Sequence, residues 1–174
     1  MFNYSMKFTI HKSKHYSSNL LYKLFSFFNF SSNLAYTVKF DRNCIYALSK
    51  QNQKDLNKLF GFSNGFHHKN SARFGWYYSP YKNQISLWAY CYLDGKRVSQ
   101  SICHLDLETE YNLYIYNTAK GYLFSVAKED SIVEICLIEH QIPLHFLSYK
   151  LWPYFGGKCP APQEMHIHMK KLLA

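Results

Sequence analysis

The sequence predicts an all-β protein, an antiparallel two-sheet jelly-roll sandwich built as one domain over residues 1–174. Two observations lead there. The dominant hydrophobic period is two, the repeat of a strand with one face buried. The alternating stretches are short, about eleven in number, rich in β-branched and aromatic residues and bounded by turn residues. Apolar residues make up 48% of the chain and charged ones 18%, which argues against a disordered chain and for a buried core.

In chain order, the early strands are "KFTIH" at 7–11, "AYTVKF" at 35–40, "CIYALS" at 44–49 and "ARFGWYY" at 72–78. The middle of the chain gives "ISLWAYCYL" at 85–93, "RVSQSICHL" at 97–105, "YNLYIYN" at 111–117 and "GYLFSVA" at 121–127. "SIVEICLIE" at 131–139, "HFLSYKLW" at 145–152 and "EMHIHMK" at 164–170 complete the set. One segment breaks the period: Leu56, Leu59 and Phe60 stand at i, i+3, i+4 with Gly61 as a stop. That spacing predicts a short helix near 52–60. Residues 11–33 give the weakest signal, because Ser/Asn clusters flank "LLYKLFSFFNF". That run is too short and too polar to span a membrane.

Asp94-Gly95 sets one hairpin register, since both central positions of a type I′ turn need positive φ. Tyr92 then faces Arg97, Tyr90 faces Ser99, Trp88 faces Ser101 and Leu87 faces Ile102. One face collects Ile85, Leu87, Ala89, Cys91, Leu93, Val98 and Ile102 as core, with Gln100 as its one polar member. The other sets Trp88, Tyr90 and Tyr92 against small hydroxyls and Arg97, leaving room above the rings. In "SARFGWYY" a guanidinium is rarely buried unpaired, so Arg73 and Tyr77 belong to the open face, with Phe74 and Trp76 inside. Tyr114 and Tyr116 are expected to join them. His67 and His68 lead into the Arg73 strand and reach its rim, and Tyr154, in the Pro/Gly connector "LWPYFGGKCPAP", closes one end.

The net charge is +9, and residues 1–93 carry only two acids, Asp41 and Asp55. Such a field attracts acidic glycans, nucleotides, nucleic acid or anionic surfaces. Five scattered cysteines without a CxxC pair argue against a disulfide framework or a zinc ribbon. The N-terminus lacks the layout of a signal peptide, so the expectation is a soluble, intracellular protein with no membrane partner. His166 and His168 share a face, but a metal site needs a third ligand and the sequence locates none, so no metal and no cofactor are expected. There is no phosphate-binding glycine loop, nucleophile elbow, HExxH or paired-carboxylate motif, and no catalytic residue is assigned.

"SARFGWYY…ISLWAYCYLDGKR", "EYNLYIYNTAKGYLFSVA" and "LWPYFGGKCPAPQEMHIHM" together resemble the strands and final crossover of concanavalin-A-like, laminin-G-like jelly rolls, over roughly residues 65–174. They are also similar to uncharacterised β-sandwich proteins of bacteria and their phages. The resemblance implies ligand binding on a concave sheet face, since that superfamily holds lectins, glucanases and polysaccharide lyases. The chain lacks the lyases' Q-I-H strand motif.

The leading expectation is therefore a lectin-like protein binding an acidic glycan through Arg73, Tyr77, Trp88, Tyr90, Tyr92, Arg97, His67, His68 and Tyr154. A polysaccharide lyase, with His67 or His68 beside Tyr77 or Tyr90 and Arg73, is the first alternative. A nucleotide or single-strand nucleic-acid binder and a structural or interaction protein of viral origin are the others.

Overall fold

In the computed structural model, which describes residues 5–25, 27–28, 33–141 and 148–172, the chain forms two antiparallel sheets packed face to face. The strands are β1 Ser5–Ile10, β2 Asn33–Phe40, β3 Asn57–Ser63, β4 Ser71–Ser79, β5 Gln84–Leu93 and β6 Lys96–Leu105. They continue as β7 Tyr111–Thr118, β8 Gly121–Lys128, β9 Ser131–Glu139, β10 Lys150–Leu151 and β11 Met165–Lys171. One sheet has the order β1-β11-β2-β7-β8-β9 and the other β10-β3-β4-β5-β6, a jelly-roll sandwich. A six-residue helix, α1, spans Leu20–Phe25, and a 3₁₀ turn spans Arg42–Cys44.

Alternation explains the core. Tyr36, Val38 and Phe40 of β2, Leu113 and Ile115 of β7, and Tyr122, Phe124 and Val126 of β8 face Phe74, Trp76, Leu87 and Ala89 of the other sheet, all buried. Rings interlock across the layer: Phe74 meets Phe124 edge-on with centroids 5.1 Å apart, and Phe40 lies 5.0 Å from Trp76. Such pairs add specific ring geometry to the transfer of large apolar surface out of water.

Ten of the predicted strands coincide with observed ones, although part of the 145–152 run lies outside the described residues. The helix predicted near 52–60 is replaced by turns up to Lys54 and then by β3. Its misleading spacing comes from a β-bulge. Lys58 pairs with Gly75 and Gly61 with Arg73, so Leu59 and Phe60 together oppose one residue of β4, and both are buried. The run at 44–49 is not a strand either. Its period is real, with Cys44 and Tyr46 buried and Ile45 exposed, but Cys44 closes the 3₁₀ turn and the residues after it join no ladder. Tyr46 Oη is instead anchored by the Asn57 side-chain amide at 3.0 Å.

The β5–β6 hairpin turns with φ of 48° at Asp94 and 81° at Gly95. Its predicted register is observed from Leu93↔Lys96 to Trp88↔Ser101. A bulge then pairs Leu87 with Cys103 in place of Ile102, which lets β6 bury both Ile102 and Leu105.

Candidate functional site

The outer face of the five-stranded sheet carries a row of cations laid over aromatic rings. Strand β4 places Arg73 and Tyr77 on it, β5 places Trp88, Tyr90 and Tyr92, and β6 places Arg97 and Ser99, all by alternation from the buried positions. Strand β3 adds Lys58, which reading residues 52–60 as a helix had hidden.

Arg73 is only 9% exposed and its guanidinium lies over the Tyr90 ring, 5.2 Å from the centroid. The Lys58 amine lies 5.2 Å from the same ring and 5.6 Å from that of Tyr154. Tyr90 is thereby only 5% exposed, so the open floor expected from the sequence is covered at its centre by two cations. Trp88, Tyr77 and Tyr92 stay half-buried. Trp88 is held by its indole N–H donating to Ser86 Oγ at 2.9 Å, with Tyr77 6.2 Å away ring to ring.

A groove of about 340 Å³ opens beside these rings, lined by Lys58, Tyr77, Trp88, Tyr90, Arg97 and Ser99, with Lys54 and Asp55 at its mouth. Among the described residues no carboxylate pairs with Lys58, Arg73 or Arg97, and Arg73 Nε is buried without a hydrogen-bond partner. Burial pushes the Arg73 pKa down, and burial followed by Arg73 and Arg97 pushes Lys58 down to about 8. Burial raises the Tyr90 phenol, with Tyr92 adding to the shift.

The connector after β10 completes one end. Gly156 adopts φ of 79°, a conformation that favours glycine, and a Cβ there would meet the Cys159 carbonyl at 2.1 Å. This turn aims the Gly156 carbonyl at Lys58 Nζ, 3.0 Å away. Tyr154 bonds its backbone to Lys58, and its ring stacks on His15, 5.3 Å between centroids, with Tyr16 edge-on. Tyr154 thus lies beside Lys58 without lining the groove, whereas its neighbour Phe155 is core.

His67 and His68 stand at the other end. His68 meets Tyr92 edge-on at 5.4 Å, and His67 Nδ1 is hydrogen-bonded to Tyr149 Oη at 2.7 Å. Burial, then His68 and Arg73, lower the His67 pKa. Neither imidazole lines the groove. Tyr114 and Tyr116 do not belong to this face. They sit on β7 in the six-stranded sheet, stacked 6.0 Å apart on the opposite side of the molecule. Alternation gives the face of a strand but not the sheet it joins.

His166 and His168 occupy that opposite face, where each finds a carboxylate. His168 Nε2 donates to Asp41 Oδ2 at 3.0 Å, and His166 Nε2 to Glu164 Oε1 at 3.0 Å. His11 Nδ1 bonds the other Glu164 oxygen at 2.9 Å. Among the described residues no group of three His, Cys, Asp or Glu is arranged to hold a metal ion. Nor is any described helix long and apolar enough to cross a membrane.

No protein-family model and no curated protein matches the chain. Solved structures do. The alginate lyase vAL-1 from Chlorella virus superposes with a TM-score of 0.50 at 12% identity, covering 96% of this chain and 82% of that one. A functionally unknown protein from Saccharomyces cerevisiae gives 0.50 at 10% identity over 83% of this chain and 72% of that one. The alginate lyase from Klebsiella pneumoniae gives 0.48 at 10% identity, over 79% and 56%. At such identities the likeness is one of fold, and it agrees with the jelly roll described above.

Proposed function

We propose that the protein binds an acidic polysaccharide across the outer face of the five-stranded sheet and cleaves it by β-elimination. The observation that carries this reading is Arg73, a nearly buried guanidinium with no acidic partner among the described residues, flanked by the half-buried amine of Lys58, which is in no salt bridge there. Unpaired buried charge is costly, and an anionic ligand removes that cost. Sugar rings suit the half-buried Trp88 and Tyr77, uronate carboxylates suit the cations, and the shared fold of an alginate lyase favours this ligand class.

The side chains match the steps of an elimination. The proton beside the carboxylate leaves carbon, the bond to the glycosidic oxygen breaks, a carbon–carbon double bond forms, and the departing oxygen takes up a proton. Arg73 neutralises the carboxylate so that the carbon acid ionises. Lys58, titrating at about 8, supplies a free amine as base. Tyr90, kept protonated by its raised pKa, supplies the proton to the leaving oxygen.

Incubation with alginate, polygalacturonate and heparin tests this, because elimination leaves an unsaturated product that absorbs in the near ultraviolet. The rate is expected to rise as pH passes upward through about 8, where Lys58 loses its proton. Lys58→Met is expected to abolish product formation. No absorbance change on any of the three sinks the lyase reading. Binding that persists without cleavage points to a second, lectin-like reading, which one observation favours: the expected imidazole base, His67, is tied to Tyr149 and lies outside the groove.

A further inference from the structure

We propose that the apolar patch around α1 docks the protein onto an anionic lipid bilayer. The run "LLYKLFSFFNF" is too short to span a membrane, yet its Leu20, Leu21, Leu24, Phe27 and Phe28 lie outside the core. Leu20, Leu21 and Leu24 are 69%, 71% and 62% exposed, while Lys23 on the same helix turns inward and donates to the Ser17 carbonyl. A surface helix ordinarily shows its lysines and buries its leucines, and α1 does the reverse.

The patch continues past the helix. The Phe27 N–H bonds the Leu24 carbonyl at 3.3 Å, and Phe27, Phe28 and the 82%-exposed Phe66 line an apolar groove of about 440 Å³ against Tyr149. Half of the large apolar side chains exposed among the described residues fall in this one region, beyond the scattered exposure usual on a surface.

Charge selects the occupant. Residues 1–38 carry Lys7, Lys12, Lys14 and Lys23 and no acid. Lys69 lines the groove, and the Lys150 backbone N–H bonds the Phe27 carbonyl at 2.7 Å. Among the described residues neither Lys69 nor Lys150 is in a salt bridge. A second copy would bring lysines against lysines on a chain of net charge +9. Protruding Leu and Phe beside Lys69 and Lys150, with no acid among the groove's lining residues, is the composition that settles in the headgroup region of an anionic bilayer, with the apolar side chains in the acyl boundary and the amines on the phosphates.

Sedimentation of the full chain with vesicles tests the proposal. Binding is expected to phosphatidylcholine vesicles containing phosphatidylglycerol and not to pure phosphatidylcholine, and to weaken as salt is added. The triple variant Leu20→Glu, Leu21→Glu, Leu24→Glu should bind at least about tenfold more weakly. Phe66→Ser, which leaves the helix untouched, should weaken binding in the same direction. Arg73→Met should leave vesicle binding unchanged, because that cation belongs to the other surface. The proposal is overturned by no binding to the anionic vesicles or by full binding of the triple and Phe66 variants. It is equally overturned by loss of vesicle binding in Arg73→Met, by a dimer that the leucine substitutions dissolve, or by capture of polyglutamate where vesicles fail.

Discussion

The two outer faces of the sandwich are built from similar materials and treat charge in opposite ways. On the six-stranded sheet the imidazoles of His11, His166 and His168 alternate with the carboxylates of Glu164 and Asp41 as a hydrogen-bonded ladder, with Lys39 between Asp41 and Glu108 at 3.7 Å from each. On the five-stranded sheet Lys58 and Arg73 stand over the Tyr90 ring and Arg97 lines the groove beside it, none of them in a salt bridge among the described residues, with Asp55 at the groove's mouth. Partnered charges on a surface are structural upkeep and contribute modestly. Unpartnered ones that are nearly buried cost stability, and they gain a purpose when a ligand arrives. The contrast separates a face that holds the fold from a face that meets something else.

Substitutions can break that contrast, and the largest effect should come from Gly61. A Cβ there would meet the Ala72 carbonyl at 2.0 Å and Arg73 Cα at 2.6 Å, so Gly61→Ala must push β3 away from β4 and dismantle the cation face. We expect a loss of roughly 3 kcal/mol or more and a fall in Tm on the order of 10 °C, read by thermal melting. Arg73→Met comes next and should split function from stability. Binding of acidic glycan, followed by calorimetry, should fall roughly 100-fold, while Tm holds or rises, since an unpaired buried charge is replaced by an apolar chain. A fall in Tm without loss of binding would reverse the roles assigned to the two faces. The smallest effect belongs to Asp41→Asn, which removes the charge shared by His166, His168 and Lys39. About 1 kcal/mol of stability at neutral pH should be lost, with glycan binding unchanged.

Much of the candidate site was legible because its signals are local. Asp94-Gly95 specifies a turn, the turn specifies a register, and the register places Trp88, Tyr90 and Tyr92 on one side of β5. The unwillingness of a guanidinium to be buried unpaired put Arg73 on the right side of the sheet, although there the side chain is nearly buried without an acidic partner among the described residues. Pro153 with Gly156-Gly157 marked Tyr154 as part of a rigid connector. What stayed hidden depended on contacts distant in sequence. Tyr90 reads as an exposed ring until Lys58 is seen to cross it from another strand. Tyr114 and Tyr116 have the right alternation but the wrong sheet, and nothing within "YNLYIYN" records which sheet β7 enters. His166 and His168 were placed correctly on one face, yet Asp41, their common partner, lies far back in the chain.

The extra residue at Leu59–Phe60 acts on strand β3 as a one-letter insertion acts on a reading frame. Lys58 and Gly61 are three positions apart, an odd separation that in an uninterrupted strand would send them to opposite sides, yet both lie across from outward-facing positions of β4. Deleting either Leu59 or Phe60 would leave Lys58 and Gly61 two positions apart and both outward in a regular strand, whereas keeping both residues without the bulge would turn Lys58 toward the core, silencing the amine without changing its identity. At this point of the chain the spacing of the residues is as much a determinant of the groove's chemistry as their kind.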